Sequence, residues 1–339
     1  MAETTTGEKR DTVVLGASAG GIEALRRLLP AFEAGTDASV FVVQHLQADG
    51  KSVLDAVLSR ATPYRVGFAR DGEAIVPRRV YLAPPDHHLL VDADNVRLMR
   101  GARENRSRPA IDPLFRSAAA SRRGRVLACV LSGLLDDGTA GLVAVKRCGG
   151  LAFVQSAVDA IEPEMPQSAA AALGEDIDGV LTADELGRHL ASLVGTSAPA
   201  AEVPEDIQLE RRMMLGEVDS LEALSQRGPP VPMSCPECGG PLWALFDGRL
   251  ARFRCHTGHA YTAESLLSAQ AQQVEQALWA AIKGLEQRGQ MLTNFAREEG
   301  SRFRATIKQR YEEEASQLRA HAQTLRDVLM ASHRTRLGE

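Results

Sequence analysis

Short apolar runs alternate with helix-like segments from Thr12 to Leu193, and this alternation most strongly constrains the fold. The first run, at residues 12–15, is followed by a glycine-rich turn, and residues 126–131 are apolar at every position. Strands that alternate with helices form βαβ units around a parallel sheet, and unbroken apolar strands are covered on both faces. We therefore predict a doubly wound, mostly parallel α/β sheet with a β insertion at residues 80–98.

Composition changes after this segment. Residues 195–204 are rich in proline and small side chains, and three of the five cysteines lie close together further on. The chain then becomes rich in Ala, Gln, Glu, Leu and Arg, which is typical of long helices. The predicted organisation is a disordered N-terminus at 1–11, an α/β domain at 12–195, a linker with a short helix at 196–232, a zinc-ribbon-like module at 233–262 and a helical hairpin or coiled coil at 263–339.

Composition also excludes several classes of protein. The 339 residues carry 39 basic and 44 acidic side chains, and this net charge of −5 argues against nucleic acid as the main partner. The sequence has no apolar run of about 18 residues, so we expect no direct membrane insertion. The first eleven residues are polar and charged and lack the apolar core of a secretory signal, which predicts a cytoplasmic protein.

The turn GASAGG at residues 16–21 fits two kinds of site. A dinucleotide-binding turn requires G-x-G-x-x-G and an acidic residue at the end of the second strand. Ser18 replaces the middle glycine and the second strand ends in Gln44 and His45, so a nicotinamide or flavin cofactor is disfavoured. The alternative is G-x-S-x-G, which places a serine nucleophile on a tight strand-to-helix turn. A glycine-rich turn with a capping serine is the non-catalytic explanation.

Two side chains at other strand ends form a candidate catalytic triad with Ser18. A serine nucleophile needs a base, and the base needs a carboxylate that orients it. His45 follows the second strand and Asp137 follows the strand at 126–131, so all three loops reach the same edge of a parallel sheet. Asp136 competes for the acidic role, and we prefer Asp137 because the glycine after it lets the chain turn. The order Ser-His-Asp differs from that of the α/β-hydrolases.

Several motifs in one order carry a family resemblance. They are VVLGASAGGIEAL, FVVQHL, VYLAPPDHHLLV, RPAIDPLFRSAA, LSGLLDDGTAGL, and GGLAFVQ followed by EMPQSAAAA. Residues 12–195 resemble the catalytic domain of the chemotaxis-receptor protein-glutamate methylesterases of CheB type. The resemblance implies Ser18 as nucleophile, His45 as general base and Asp137 as orienting acid, with no cofactor for catalysis. It also implies hydrolysis of glutamate γ-methyl esters on methyl-accepting chemotaxis receptors, and receptor glutamine deamidation in some members.

The sequence departs from the family pattern at three places. Ala19 stands where the family commonly has threonine, and Leu134-Leu135 stands where it commonly has Met-Gly. Only eleven residues precede the first strand, so we expect no N-terminal receiver domain and no control by phosphorylation in cis. The altered aspartate loop leaves a non-catalytic, receptor-binding scaffold as the alternative function.

The clustered cysteines have the spacing of a metal site. Cys235 and Cys238 form a C-x-x-C pair, and Cys255 follows after 16 residues, with His256 and His259 close behind. Two such pairs typically supply four ligands to a tetrahedral zinc ion. We predict a structural zinc site at Cys235, Cys238, Cys255 and His259. His256 is the alternative fourth ligand, disfavoured because it adjoins Cys255. A module of about 30 residues needs such an ion to fold.

The last segment carries an apolar stripe at helical spacing, which is typical of a packing surface. The stripe includes Leu266, Val274, Leu278, Ile282 and Leu285. We expect these helices to dock a signalling partner or to oligomerise, and to carry no chemistry of their own.

Overall fold

The computed structural model describes residues 8–46, 52–247, 250–298 and 305–337. Contacts divide the chain into two compact units, Met1–Leu266 and Leu267–Glu339, while the domain boundaries drawn from the sequence stay predictions. The strands are β1 Thr12–Ala17, β2 Ser39–Gln44, β3 Arg65–Phe68, β4 Arg79–Leu82, β5 His88–Asp92, β6 Asn95–Met99, β7 Val126–Val130, β8 Leu151–Gln155, β9 Gly179–Leu181, β10 Val231–Ser234, β11 Pro241–Asp247, β12 Leu250–Cys255 and β13 Ala260–Thr262. The helices are α1 Gly21–Leu28, α2 Leu54–Leu58, α3 Ile111–Arg122, α4 Thr139–Arg147, α5 Glu164–Leu173, α6 Ala183–Leu193, α7 Glu205–Met214, α8 Ser220–Ser225, α9 Ala263–Glu298 and α10 Ala305–Leu337.

Seven strands form the central sheet in the order β3-β4-β2-β1-β7-β8-β9, and each neighbouring pair is parallel. Apolar side chains are buried on both faces: α3, α4 and α5 cover one face, and α1, α2 and α6 cover the other. The doubly wound parallel α/β fold predicted from the sequence is therefore confirmed. The strands β5 and β6 pair separately as an antiparallel hairpin, so the predicted β insertion is present but is shorter than residues 80–98. The first run of that range is β4, which pairs in parallel with β2 and β3 and belongs to the central sheet because it is apolar and buried.

The strand order places three loops at one edge of the sheet. β1 lies between β2 and β7, so the chain leaves β1 on one side for β2 and later returns on its other side as β7. Side chains from the carboxyl ends of strands around such a reversal line a common crevice. The loops after β1, β2 and β7 are the ones that carry Ser18, His45 and Asp137.

Two further local predictions differ from the structure. β3 has no counterpart among the predicted strands, because Arg65–Phe68 is an edge strand that is only partly buried and is interrupted by Gly67. The linker at 196–232, for which one short helix is predicted, contains two helices, α7 and α8. Gly216 adopts a left-handed conformation with φ 71° after α7, and the Asp219 side chain accepts a hydrogen bond from the Glu222 N–H to begin α8.

The cysteine region forms a second, antiparallel sheet. Its four strands follow in the order β10-β11-β12-β13 within the first compact unit. We call residues 231–266, from β10 to the first turn of α9, the cysteine module. It includes all three cysteines of the predicted metal site.

The second unit is an antiparallel pair formed by α9 and α10. Ile282 packs with Ala322 and Leu329 in a small buried cluster, and Arg288 forms an ion pair with Glu314 at 2.6 Å. The predicted helical hairpin is present, although Val274 of the expected stripe is 60% exposed. Among the described residues, each helix is too short or too polar to cross a lipid bilayer.

Candidate active site

Ser18 stands on a turn held from three sides. Its N–H donates to the carbonyl of Ser132 at 2.9 Å, and its own carbonyl accepts hydrogen bonds from the Gly21 N–H and, at 2.8 Å, from Nε2 of Gln44. Gln44 ends β2 and is 5% exposed. These bonds tie the serine to the loops after β2 and β7, so its position is set by the sheet itself.

Glycine is required where the turn enters α1. Gly20 precedes the helix with φ 74°, a left-handed conformation that is costly for other residues. A Cβ atom at this position would also lie 2.6 Å from both the Cβ of Ile161 and the Oγ of Ser132. The packing therefore accounts for the second glycine of the G-x-S-x-G motif. It places Ser18 beside the first N–H groups of a helix, which favour negative charge.

Ser18, His45 and Asp137 lie in one hydrogen-bonded line. His45 Nδ1 is 3.1 Å from Ser18 Oγ, and His45 Nε2 is 2.8 Å from Asp137 Oδ2. The His45 side chain is 20% exposed, whereas that of Asp137 is 4% exposed. The ring presents Nδ1 to the serine, which reverses the ring orientation of the trypsin-like proteases. The three residues singled out in the sequence thus meet at the carboxyl edge of the sheet.

Asp137 is surrounded by hydrogen-bond donors. Its Oδ2 accepts from His45 and from the Ile111 N–H at 2.7 Å, and its Oδ1 accepts from Asn105 Nδ2 at 2.9 Å and from the Asp112 N–H at 3.2 Å. Burial alone would raise the pKa of Asp137, but these bonds and the neighbouring His45 lower it below its usual value. Asp137 is therefore held as a carboxylate that can orient and stabilise a protonated histidine.

The two neighbouring aspartates are held differently. Burial raises the pKa of Asp112, and the charge of Asp137 raises it further, so Asp112 favours the protonated form. Burial also raises the pKa of Asp136 to about 6. Oδ1 of Asp136 is buried without a hydrogen-bond partner among the described residues. The carboxylate that contacts His45 is that of Asp137. The geometry therefore disfavours Asp136, which the sequence leaves open as the alternative orienting acid.

Asn105 was not identified from the sequence. Its Nδ2 donates to both Asp137 Oδ1 at 2.9 Å and Asp112 Oδ2 at 2.8 Å, and the residue is 7% exposed. It has φ 46°, a left-handed conformation that asparagine tolerates better than most residues. In the sequence it is one polar residue in an irregular stretch, and no spacing rule connects it to Asp137.

The loop with the altered Leu134-Leu135 pair is anchored to α5. Leu135 has φ 63°, which costs a leucine about 1 to 3 kcal/mol. Its N–H donates to Glu164 Oε2 at 3.0 Å, and its carbonyl accepts from Ser168 Oγ at 3.4 Å. The loop thus holds Asp137 in place despite its departure from the common family sequence.

Cys235, Cys238, Cys255 and His259 form a second cluster in the cysteine module. Their ligand atoms all lie within 4.8 Å of one another. Cys238 Sγ is 3.7 Å from Cys255 Sγ, and Cys255 Sγ is 3.5 Å from His259 Nδ1. Ligands of a tetrahedral zinc ion are about 3.5 to 3.8 Å apart, so these two distances match the separation that the ion requires.

The rest of the cluster's surroundings agrees with metal binding. His259 Nε2 lies 3.2 Å from Glu237 Oε2, and a carboxylate at the second ring nitrogen commonly orients a metal-bound histidine. His256, the alternative ligand, is exposed and is not part of the four-residue group in the described chain.

Buried ion pairs join the cysteine module to the α/β sheet domain. Glu104 lies 2.7 Å from Arg116 of α3 and 3.1 Å from Arg254 of β12. Glu210 of α7 accepts a hydrogen bond from Arg252 of β12 at 2.9 Å. Each of these five side chains is at most 5% exposed. Burial alone would raise the pKa of Glu104, but Arg116 and Arg254 outweigh it and lower the pKa to about 2.

Glu104→Gln should destabilise the first compact unit. The change removes the nearer carboxylate of two buried guanidinium groups, Arg116 and Arg254, and leaves Glu210 as their described carboxylate partner, at 3.5 and 3.8 Å. Breaking a buried ion pair costs about 3 to 5 kcal/mol. The pKa of Glu104 lies below its ordinary 4.5, so its stabilising effect is complete above that pH and is lost as the pH falls towards 2. Urea unfolding at neutral pH should show the full difference from wild type, and the difference should shrink below pH 4.5.

A matched surface pair provides the control. Asp37→Asn removes the partner of Arg78 in an ion pair that is more than half exposed, and we expect a loss below about 1 kcal/mol. An equally small loss for Glu104→Gln would show that the buried cluster contributes little to stability.

Comparison with known proteins identifies the family of the first half of the chain. A family model described as CheB methylesterase matches residues 13–190. The crystal structure of the Thermotoga maritima CheB methylesterase catalytic domain is 31% identical with a TM-score of 0.52, and the match covers 55% of this chain and all of that one. The cysteine module lies outside the region that the family model matches.

Curated relatives give the same result. A protein named protein-glutamate methylesterase/protein-glutamine glutaminase 1 from Paramagnetospirillum magneticum is 38% identical over 172 residues, which are 49% of this chain and 45% of the relative. A putative enzyme of the same name from Leptospira interrogans is 34% identical over 177 residues, which are 52% of this chain and 91% of the relative. The chain spans about half the length of the Paramagnetospirillum and Azospirillum brasilense relatives. Since the family model matches just over half of its residues, this chain belongs to the CheB methylesterase family.

Proposed function

We propose that this chain hydrolyses glutamate γ-methyl esters on methyl-accepting chemotaxis receptors in the cytoplasm, and that it also deamidates receptor glutamines. The observation that carries the proposal is the line from Ser18 Oγ through His45 to the buried carboxylate of Asp137. The names of the curated relatives support both activities. Ester and amide hydrolysis share this chemistry and differ in the leaving group, which is methanol or ammonia.

In the first half of the reaction, Ser18 Oγ attacks the ester carbonyl carbon while His45 Nδ1 accepts the hydroxyl proton. The resulting imidazolium is stabilised by Asp137, which accepts the hydrogen bond from Nε2. The carbonyl oxygen becomes negatively charged next to the N-terminus of α1, where backbone N–H groups stabilise an oxyanion. His45 then gives its proton to the departing methanol, which leaves the receptor glutamate as an acyl ester of Ser18.

In the second half, water replaces methanol. His45 Nδ1 accepts a proton as the water oxygen attacks the acyl carbon, and it returns that proton to Ser18 Oγ as the ester bond breaks. The receptor is released with a free glutamate carboxylate, and the enzyme regains its starting protonation state. The residues present suffice for these steps.

The surroundings of Ser18 suit a substrate that is itself a protein. Ser18 is half-buried at the edge of the sheet. The apolar side chains of Leu134 and Ile161, from the neighbouring loops, are 48% and 64% exposed. Exposed apolar side chains beside a reactive group provide a surface that a receptor helix can contact.

The direct test is methanol release from membranes that carry a methylated receptor, together with labelling of Ser18 by a serine-directed phosphonate. We expect both with the wild-type protein. Ser18 that reacts with phosphonate without methanol release would restrict the proposal to a different ester substrate. Folded protein whose Ser18 is inert to the phosphonate and releases no methanol would favour the non-catalytic scaffold.

We further propose that Cys235, Cys238, Cys255 and His259 hold a structural zinc ion. Purified protein should contain about one zinc per chain. A Cys235→Ser, Cys238→Ser double variant should lose the metal and the folded cysteine module, because a module this small depends on its ion. Metal analysis and circular dichroism measure both effects.

The control for the metal site is a cysteine elsewhere in the fold. Cys148 is fully buried in the α/β sheet domain, and Cys148→Ala should keep its zinc. A wild-type protein that is fully folded without metal would contradict the proposal.

A further inference from the structure

The side chain of Asn105 has a partner for each of its hydrogen-bonding groups. Its two Nδ2 hydrogens go to Asp137 and Asp112. Its Oδ1 accepts from the Thr262 N–H at 3.2 Å and from Ser265 Oγ at 3.1 Å. One face of the amide thus contacts the carboxylate that holds His45, and the other contacts the cysteine module.

The backbone around Asn105 is fixed by the same module. The Asn105 N–H donates to the carbonyl of Ala260 at 2.8 Å, and Glu104 forms a β-bridge with Ala260. Ala260 directly follows His259 of the Cys-His cluster. Ser265 lies in the first turn of α9, where its N–H donates to Thr262 Oγ1 at 3.1 Å. The module therefore fixes both the peptide and the amide of Asn105.

We propose that Asn105 is a positioning residue through which the folded cysteine module sets the geometry of Asp137, an inference that rests on the proposed function. Asp137 needs Oδ2 aligned with His45 Nε2, and it is held from the opposite side by the amide of Asn105 on Oδ1. The amide also separates the charged Asp137 from Asp112, because one N–H goes to each. The cysteine module is thus part of the support of the active site and acts through a hydrogen bond.

The inference depends on the orientation of the Asn105 amide. With Oδ1 facing Thr262 and Ser265, the two N–H groups must face the aspartates. If the module does not supply those donors, the amide loses the contacts on Oδ1 that hold it in place, and only the aspartates still favour this orientation. The opposite orientation would place an oxygen against a carboxylate oxygen, which is repulsive.

Asn105→Asp tests the role with little change in shape. Aspartate tolerates the left-handed backbone of this position but replaces both donors with an acceptor. We expect the rate of Ser18 phosphonylation and the kcat for methanol release to fall about 10- to 100-fold, the equivalent of one lost hydrogen bond to a charged group. KM should stay within about twofold, because Asn105 acts on the base His45 through Asp137 and does not contact the receptor.

Ser265→Ala tests the contribution of the module by removing one hydroxyl. The Thr262 N–H still holds Oδ1 in this variant, so we expect a smaller fall, about threefold, in the same rates. Glu210→Gln is the matched control, because it weakens buried contacts to the module at Arg252 and Arg254. Glu210 is not among the described hydrogen-bond partners of Asn105. At equal folded fraction, its phosphonylation rate should equal that of wild type.

A spectroscopic readout separates this inference from the proposed function. The proton between His45 Nε2 and Asp137 should give a low-field NMR resonance that moves in Asn105→Asp and stays in place in Glu210→Gln. An unchanged resonance in Asn105→Asp would overturn the inference, as would equal rate losses in Asn105→Asp and Glu210→Gln. Wild-type protein inert to phosphonate would count against the proposed function alone, since the resonance still tests Asn105.

Discussion

Ser18→Ala should lower the kcat for methanol release by about 10⁴- to 10⁶-fold, because the variant has no oxygen that can form the acyl-enzyme. The residual rate would come from substrate binding and from the N–H groups that surround the carbonyl oxygen. In the part of the chain that the structure describes, Ser18 Oγ makes one side-chain hydrogen bond, at 3.1 Å to His45, so the loss of stability should be about 1 kcal/mol or less. Methanol release from methylated receptor membranes and urea unfolding measure the two quantities.

A serine outside the site serves as the matched control. Ser192 lies on the exposed side of α6, where its Oγ donates to the carbonyl of His189, and Ser192→Ala should retain the wild-type rate. If Ser18→Ala keeps a rate within tenfold of wild type, another group must be the nucleophile and the proposed mechanism is wrong.

Asp137→Asn should lower kcat about 10⁴-fold. Asp137 accepts four hydrogen bonds, two on each oxygen. The amide of the introduced asparagine can adopt either of two orientations. In each one, its NH₂ group faces two of the donors that the Asp137 carboxylate accepted from. Either orientation also removes the negative charge that stabilises the imidazolium of His45. Because two buried donors lose their acceptor, the free energy of unfolding should also fall by about 3 kcal/mol.

The adjacent carboxylate is the control for Asp137. Asp136 is as deeply buried but lies outside the His45 contact, and burial raises its pKa to about 6. A raised carboxyl pKa means that stability is lost as the pH rises from 3.8 through 6, so at pH 7.5 the neutral Asp136→Asn should be at least as stable as wild type. Its kcat should stay within about tenfold of wild type. A larger loss of kcat in Asp136→Asn than in Asp137→Asn would show that Asp136, and not Asp137, is the acid that orients His45.

The fold follows from features that are local in the sequence. Strands such as β1 and β7 are apolar throughout because both of their faces are covered, and the glycines between strand and helix mark the turns. β3 was not predicted because it is an edge strand and only partly buried, so its sequence shows no clear pattern of apolar side chains. The break between α7 and α8 depends on the backbone conformation of Gly216, which a helical charge pattern does not reveal.

The candidate site also has a part that the sequence predicts and a part that it does not. The meeting of Ser18, His45 and Asp137 is predictable because each residue follows a parallel strand, and parallel strands end at one edge. Asn105 and Glu104 lie in an irregular stretch, and their partners Ser265 and Arg254 are in a different sheet or helix. Only packing brings these groups together. Arg252 and Arg254 alternate along β12 and therefore lie on the same face of the strand. Buried arginines need acidic partners, so this pattern is a sequence signal that predicts buried acids opposite β12.

The contacts of Glu104 and Asn105 also determine when the site is completed during protein synthesis. Arg254 lies 150 positions after Glu104, and Ser265 lies 160 positions after Asn105. Since the ribosome releases the N-terminal part of a chain first, the parallel sheet can form while these late partners are still untranslated. A nascent chain therefore carries Ser18, His45 and Asp137 well before it carries the groups that fix Asn105. Full esterase competence should arise only after the cysteine module has left the ribosome and folded onto the sheet domain.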